Sequence, residues 1–256
     1  MTLAIIGGSG FDQLPNFAVV EQRKVSTPYG PPSAPLSFGK YCGSKLVFLP
    51  RHGDDHSIAP HRINYRANMY ALKDAGVTEV IALAAVGGIN PDFPARSIAI
   101  PHQIIDYTSA REHTFYDGKL YSNSHVDDKV NHIDFTEPYD QPLRLRLIQA
   151  AQHAARHTTI EVNNSGVYAV TQGPRLETAA EIDRLERDGA EIVGMTAMPE
   201  AALARELNMR YAGIALVANV AAGRGDQELT METIYANLAA TTDDAVTILE
   251  QFISRL

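Results

Sequence analysis

Apolar residues along the chain follow two rhythms. Short runs rich in β-branched and aliphatic residues, at 3–6, 45–49, 79–84, 97–105, 166–171, 191–194 and 211–218, predict strands. Between several of them, apolar positions recur at three- and four-residue steps. These stretches predict helices over 65–75, stopped by Gly76, and over 141–156, 178–188 and 199–207. Near the end, Met231, Ile234, Leu238, Ala245, Leu249, Phe252 and Leu256 form one helical stripe with a few slips, which predicts a long closing helix. Strands separated by helices imply an α/β fold: one domain spanning 1–256, with a mixed central sheet flanked by helices. From about 109 to 142 the chain is polar and aromatic without a period, so a long surface excursion is expected, serving function or an oligomer contact.

Composition narrows the class. With 256 residues, 45% of them hydrophobic, the chain can bury one sizeable core. A net charge of -8 offers no broad footprint for nucleic acid, while a local basic pocket for a small anion remains compatible with it. No apolar run approaches the roughly 20 residues that a membrane helix needs. Met1 leads straight into the apolar stretch 3–6 and a glycine turn, without the basic region or cleavage site of a signal peptide. The single cysteine, Cys42, excludes an intrachain disulfide framework, suits a reducing compartment and reads as structural. The expectation is a cytoplasmic protein with neither nucleic acid nor membrane as partner.

Chemistry gathers where the predicted strands end. Gly7-Gly8-Ser9-Gly10 follows the first, Arg51-His52-Gly53 the second, and Ala84-Ala85-Val86-Gly87-Gly88 the third. Gln172-Gly173-Pro174-Arg175, Met195-Thr196 and Asn219 follow later ones. Ligands of open α/β sheets bind beyond the carboxyl ends of the strands, so these segments can converge on one pocket. The turn Gly8-Ser9-Gly10 suits a phosphate, but Gln13 leaves the dinucleotide fingerprint incomplete, and a purely structural turn is the alternative. Arg51 beside His52 suits a doubly charged anion, against the alternative of an exposed ion pair. His52, His56 and His61 with Asp54 and Asp55 invite a metal reading, yet the spacing fits no metal motif and Arg51 would repel a cation. Met195 and Met198, taken alone, read as core filler. Nothing in the sequence demands a metal or organic cofactor.

Taken together and in order, several strings resemble the methylthioadenosine phosphorylase branch of the trimeric nucleoside phosphorylases. They are Ile5-Ile6-Gly7-Gly8-Ser9-Gly10, Thr27-Pro28-Tyr29-Gly30, Pro50-Arg51-His52-Gly53, Asn64-Tyr65, Phe115-Tyr116-Asp117-Gly118, Gly173-Pro174-Arg175 and Met195-Thr196-Ala197-Met198-Pro199-Glu200. The resemblance covers essentially the whole chain. It implies inorganic phosphate as co-substrate, held by Ser9, Arg51, His52, Ala84, Ala85 and Thr196, with Met195 under the ribose. The base would lie near Leu176 and Asn219, flanked by Val220 and Ala221. Met231, Ile234 and Tyr235, with His56 nearby, would line the pocket for the 5' substituent, and Glu177 would share in specificity. The family is usually a homotrimer, and His132 of the long excursion would reach into a neighbour's site.

Departures from the family pattern sharpen the expectation. Where the adenosine-type enzymes carry an Asp-x-Asp pair, this chain has Asn219-Val220-Ala221. An Asn accepts from a protonated N7 through its oxygen and donates to a 6-oxo group through its amide, which a carboxylate cannot do. Asn also pairs with the N6 and N7 atoms of adenine, so adenine is not barred. Ala84 stands where a hydroxyl usually faces phosphate, and Leu176 where an aromatic usually stacks on the base. The apolar residues Met231 and Ile234 with Tyr235 favour a methylthio group, since burying a hydroxyl without a partner costs about 1–3 kcal/mol. The expected reaction is phosphorolysis of S-methyl-5'-thioinosine to hypoxanthine and 5-methylthioribose 1-phosphate, with Asn219, His52 and Arg51 as the catalytic set. The alternatives are action on methylthioadenosine, or broad action on 6-oxopurine nucleosides such as inosine and guanosine. A non-catalytic nucleoside sensor would have no need of the phosphate-binding set, and for a nicotinamide-dependent dehydrogenase the chain lacks the third glycine and a clear acidic residue ending the second strand.

Overall fold

The computed structural model describes residues 2–119, 125–126, 129–156, 161–225 and 230–256. Its centre is the strand β1 (Leu3–Gly7), buried at every position. Covered on both faces, it reads as a continuous apolar run rather than an alternation. It pairs in parallel with β4 (Ser44–Pro50) on one side and β5 (Glu79–Gly88) on the other. The far side of β5 is followed along its length by the parallel strand β11 (Arg210–Val220). Beyond β11 lie β6 (Ile98–Ala99), antiparallel to it, and β8 (Val162–Asn163).

On the β1 side, β5 changes partner. Its residues 79–82 pair with β1, while Gly87 and Gly88 pair with the antiparallel β10 (Ile192–Gly194). From β10 the sheet continues in parallel through β9 (Val167–Val170) to β7 (Gln103–Asp106). The sheet therefore forks at β5, and residues 83–86 edge the fork between β1 and β10. The strand expected to end at 84 runs on instead, because the pairing with β11 carries β5 through to Gly88.

Helices cover both faces. Met69 and Leu72 of α1 (Tyr65–Asp74) and Ala201, Leu203 and Ala204 of α4 (Ala197–Glu206) share one core cluster. Leu143 and Leu147 of α2 (Gln141–Ala155) and the stripe Ile234, Leu238, Ala245, Leu249 and Phe252 of α5 (Met231–Ile253) share a second. Each large side chain of that stripe contributes about 1.5–3 kcal/mol by full burial, which fixes α5 across the open end of the sheet. The ends are set by side chains: Asn64 caps α1, Asp140 caps α2, and Thr178 with Glu181 forms a capping box at α3 (Ala179–Arg187).

Several expectations are corrected. The single strand over 97–105 is two, β6 and β7; Pro101, between them, has no N–H for a ladder. Two antiparallel strands, β2 (Ala18–Arg23) and β3 (Leu36–Tyr41), extend the sheet beyond β4. Every residue of β2 is exposed, so no buried face imprints a period on its sequence. Cys42 is exposed rather than structural: with Gly43 it forms the positive-φ hairpin turn between β3 and β4. The 109–142 excursion is anchored, not merely laid on the surface, because Arg111 and Phe115 are buried. Its residues 120–124 and 127–128 lie outside the described residues. No helix among the described residues is long and apolar enough to cross a membrane.

Candidate active site

At the fork, one cavity of about 270 Å³ opens beyond the ends of β1, β4, β10 and β11, with α5 as one wall. Its polar end begins where β1 turns at Gly8. A Cβ there would stand 2.4 Å from the Leu83 carbonyl oxygen and 3.0 Å from Arg51 Nη1, so only glycine lets the three segments meet. Strand β4 then delivers Arg51 and His52. Arg51, 1% exposed, donates from Nε and Nη2 to the two carboxylate oxygens of Glu200 at 2.7 and 2.8 Å, and from Nη1 to Leu83 O at 2.8 Å. Tyr211 donates to the same carboxylate at 2.8 Å. Burial alone would lower the Arg51 pKa, but the Glu200 carboxylate outweighs it and holds the guanidinium charged. Three of the five N–H donors of an arginine are thus engaged, and one on each terminal nitrogen remains for a ligand.

His52 Nδ1 lies 2.8 Å from the Ile58 carbonyl oxygen, which only accepts, so the ring carries its proton there. Burial first, and the Arg51 charge second, push its pKa down to about 4, leaving an uncharged ring with a free lone pair on Nε2. His56 stacks on it at 4.6 Å between ring centres. His56 Nδ1 donates to Asp12 Oδ1 at 2.8 Å, and its Nε2 stands 3.3 Å from Ser9 Oγ, so Asp12 and His56 together orient the Ser9 hydroxyl. Thr196 sits at the start of α4 without capping it, and Ala84 and Ala85 line the cavity along the fork. This end holds hydroxyls, a guanidinium and an imidazole, a set suited to a tetrahedral oxyanion.

The other end is amphipathic. A register shift between Val217 and Asn219 in β11 turns Asn219 toward the cavity opposite Gly87, where a Cβ would approach Asn219 Nδ2 to 3.2 Å. Asn219 Nδ2 donates to Val220 O at 2.7 Å, leaving its second N–H and its oxygen for a ligand. Glu177 Oε1 accepts from Thr171 Oγ1 at 2.6 Å, which orients the carboxylate and leaves Oε2 available. Leu176, Met195 and Ala221 line the same space, and Met231, Ile234, Tyr235 and Leu238 of α5 close it with an apolar surface carrying one phenol.

The expected site residues therefore converge, with two exceptions. Val220 does not line the cavity; strand alternation turns it from the side that Asn219 and Ala221 face, and its Cγ2 lies 2.8 Å from where a Cβ on Gly225 would be. His132 is exposed outside the cavity of its own chain. Although His52 and His56 stack, among the described residues no three His, Cys, Asp or Glu side chains are arranged to hold a metal ion. Sequence reasoning assigned no role to Glu200, Tyr211, Asp12 or Arg111. A buried glutamate in the otherwise apolar start of α4 was a usable signal; Arg111, in an aperiodic segment, offered none.

Comparison with known proteins agrees with this geometry. Residues 2–254 match the family model described as the phosphorylase superfamily. A probable S-methyl-5'-thioinosine phosphorylase of Pseudomonas syringae is 50% identical over 90% of this chain and 89% of its own. A 6-oxopurine nucleoside phosphorylase of Pyrococcus furiosus is 43% identical over 96% and 90%. Among solved structures, a methylthioadenosine phosphorylase of Schistosoma mansoni in complex with adenine superposes with a TM-score of 0.92 at 33% identity, covering 100% of this chain and 91% of its own. Matched by the family model over residues 2–254, and 43–50% identical to these relatives over most of its length, the chain belongs to the phosphorylase superfamily.

Proposed function

We propose that the protein is a pentosyltransferase of purine salvage that phosphorolyses S-methyl-5'-thioinosine, giving hypoxanthine and 5-methylthioribose 1-phosphate. The observation that carries this is the shared cavity: Arg51, His52, Ser9 and Thr196 at one end, Asn219 and Glu177 at the other, and apolar α5 between them. Relatives named for methylthioinosine and for 6-oxopurine nucleosides support the same base class.

In the reaction the C1'–N9 bond breaks as an oxygen of phosphate bonds to C1', so no protein nucleophile is required. Arg51, Ser9 and Thr196 fix the phosphate, and the neutral His52 Nε2 accepts the hydrogen of a protonated phosphate oxygen. The anion beneath the sugar then stabilises the positive charge that builds there. The electron pair of the broken bond passes to the purine, which takes up a proton from solvent at N7. Asn219 donates to O6 and accepts from N7 once protonated, while Glu177 Oε2 accepts from N1–H. Adenine has no proton on N1 and carries an amino donor at C6, so both contacts favour a 6-oxopurine.

Phosphate is the co-substrate, and the residues present assign no task to a metal or organic cofactor. We place the enzyme in the cytoplasm, as the lone exposed thiol and the absence of a membrane-length helix among the described residues support. The assembly is a homotrimer in which His132, exposed on its own chain, faces a neighbour's cavity; sedimentation at a trimer mass tests it. Tyr235 gives a second reading some footing, since its phenol can partner a 5'-hydroxyl and admit inosine. The chemical test is incubation of methylthioinosine with 18O-labelled phosphate. The proposal requires the sugar ester to retain all of the phosphate label; free methylthioribose, the product of attack by water, would refute it.

A further inference from the structure

Arg111 stands in the segment between β7 and α2 and is 8% exposed, yet among the described residues it forms no ion pair with a carboxylate. Its Nε donates to Gln172 Oε1 at 3.1 Å. Its Nη1 donates to Met195 O at 2.8 Å, Met198 O at 2.6 Å and the Tyr65 hydroxyl at 3.3 Å. Its Nη2 donates to Thr171 O at 3.2 Å and Gln172 O at 2.9 Å. All six acceptors are neutral. Two of them, Met195 O and Met198 O, bracket Thr196 at the phosphate end, and the others from 171–172 open the segment that carries Leu176 and Glu177.

The charge count at the phosphate end gives this arrangement its meaning. Arg51 is neutralised by Glu200 at 2.7 Å, and His52 is uncharged. The charge of Arg51 is thus already offset by its Glu200 partner, and His52 adds none. Arg111 places a full positive charge directly behind the Thr196 wall, in a medium where charge is poorly screened. The C=O and N–H of a trans peptide point in opposite directions. Anchoring Met195 O on the guanidinium therefore turns the Thr196 N–H away from Arg111.

We infer that Arg111 is a positioning residue for phosphate: its unneutralised charge and its hold on the Met195 and Met198 carbonyls together set the affinity of the anion end. The inference rests on the phosphorolytic reading above. Arg144 supplies an internal control. It too is 8% exposed and donates to the carbonyls of Ile100, Pro101 and Asn164, but none of these residues lines the cavity, whereas Met195, held by Arg111, does.

The experiment compares wild type, Arg111→Gln, Arg111→Lys and Arg144→Gln by phosphate titration calorimetry and by the KM for phosphate and for nucleoside. Arg111→Gln is expected to raise the phosphate KM about tenfold or more, with the nucleoside KM within about threefold. Arg111→Lys, which keeps the charge but not the fan of donors, should recover most of that loss even where its melting temperature falls. Arg144→Gln should lower stability without a selective change in phosphate KM. Equal phosphate weakening by Gln and Lys, a parallel rise in both KM values, or unchanged phosphate binding in Arg111→Gln would each overturn the inference. Should Arg111→Gln not fold, a phosphate KM for Arg111→Lys near wild type supports it and a tenfold rise refutes it. Failure of the wild type to bind phosphate at all would instead remove the proposed function and this inference with it.

Discussion

Glu200→Gln probes the electrostatic foundation of the anion end. Glu200 is fully buried and receives three hydrogen bonds: two from Arg51, at 2.7 and 2.8 Å, and one from Tyr211 at 2.8 Å. Glutamine is nearly isosteric but replaces one acceptor oxygen with a donor, which must then face either a guanidinium N–H or the Tyr211 hydroxyl. The change leaves a guanidinium buried without its counter-charge, and breaking one partner of such a pair costs about 3–5 kcal/mol. For a chain of this size each kcal/mol moves the melting temperature by about 2–4 °C, so a drop of about 6–20 °C is expected. Because Arg51 also loses the clamp that directs its two free N–H groups, the phosphate KM should rise at least about tenfold, as loss of a charge-assisted contact implies. Thermal melting and initial rates at varied phosphate report the two effects on one preparation. A melting temperature within about 2 °C of wild type together with an unaltered phosphate KM would show that the pair neither supports the fold nor aims the guanidinium.

Other consequences are equally direct. Asn219→Asp removes the donor to O6 and sets a carboxylate against it, so kcat/KM for methylthioinosine should fall about 10- to 100-fold while methylthioadenosine is less affected; equal losses would contradict the base assignment. Tyr235→Phe should spare methylthioinosine but reduce activity on inosine by about 3- to 10-fold, measured as hypoxanthine release. The His52 ring stays neutral in the folded protein down to about pH 4, whereas in the unfolded chain it protonates near its ordinary value of 6.5. The unfolded state thus binds the extra proton in that window, and stability should decline by about 3 kcal/mol as pH falls from 6.5 to 4. Denaturant titrations across the window, with His52→Gln flattening this part of the slope, check the sign; a His52→Gln profile identical to wild type would refute it.

The sequence showed the parts of the fold whose burial imposes a rhythm. Strands β1, β4, β5, β10 and β11 and helices α1 to α5 are legible because each has an apolar run or stripe facing a core. Strand β2 was not, since it has no buried face, and the split of 97–105 hinged on the ladder around Pro101 rather than on hydrophobicity. In the site, Ser9, Arg51, His52, Thr196 and Asn219 were legible because polar groups at strand ends stand out and their strings resemble one family. Glu200 and Asp12 act through Arg51 and His56, over separations of 149 and 44 residues that no local pattern encodes. Arg111 was hidden for the same reason: its partners come from three separate segments, at 65, 171–172 and 195–198. Val220 was overassigned because adjacency in sequence is not adjacency in a strand, where neighbours face opposite sides.

The central claim, phosphate-dependent cleavage of a 6-oxopurine methylthionucleoside, is tested most directly by release of free base from methylthioinosine, methylthioadenosine and inosine in parallel, each with and without phosphate. Hypoxanthine is expected chiefly from methylthioinosine and only when phosphate is present. Preferred release of adenine from methylthioadenosine, or release that does not depend on phosphate, would contradict it.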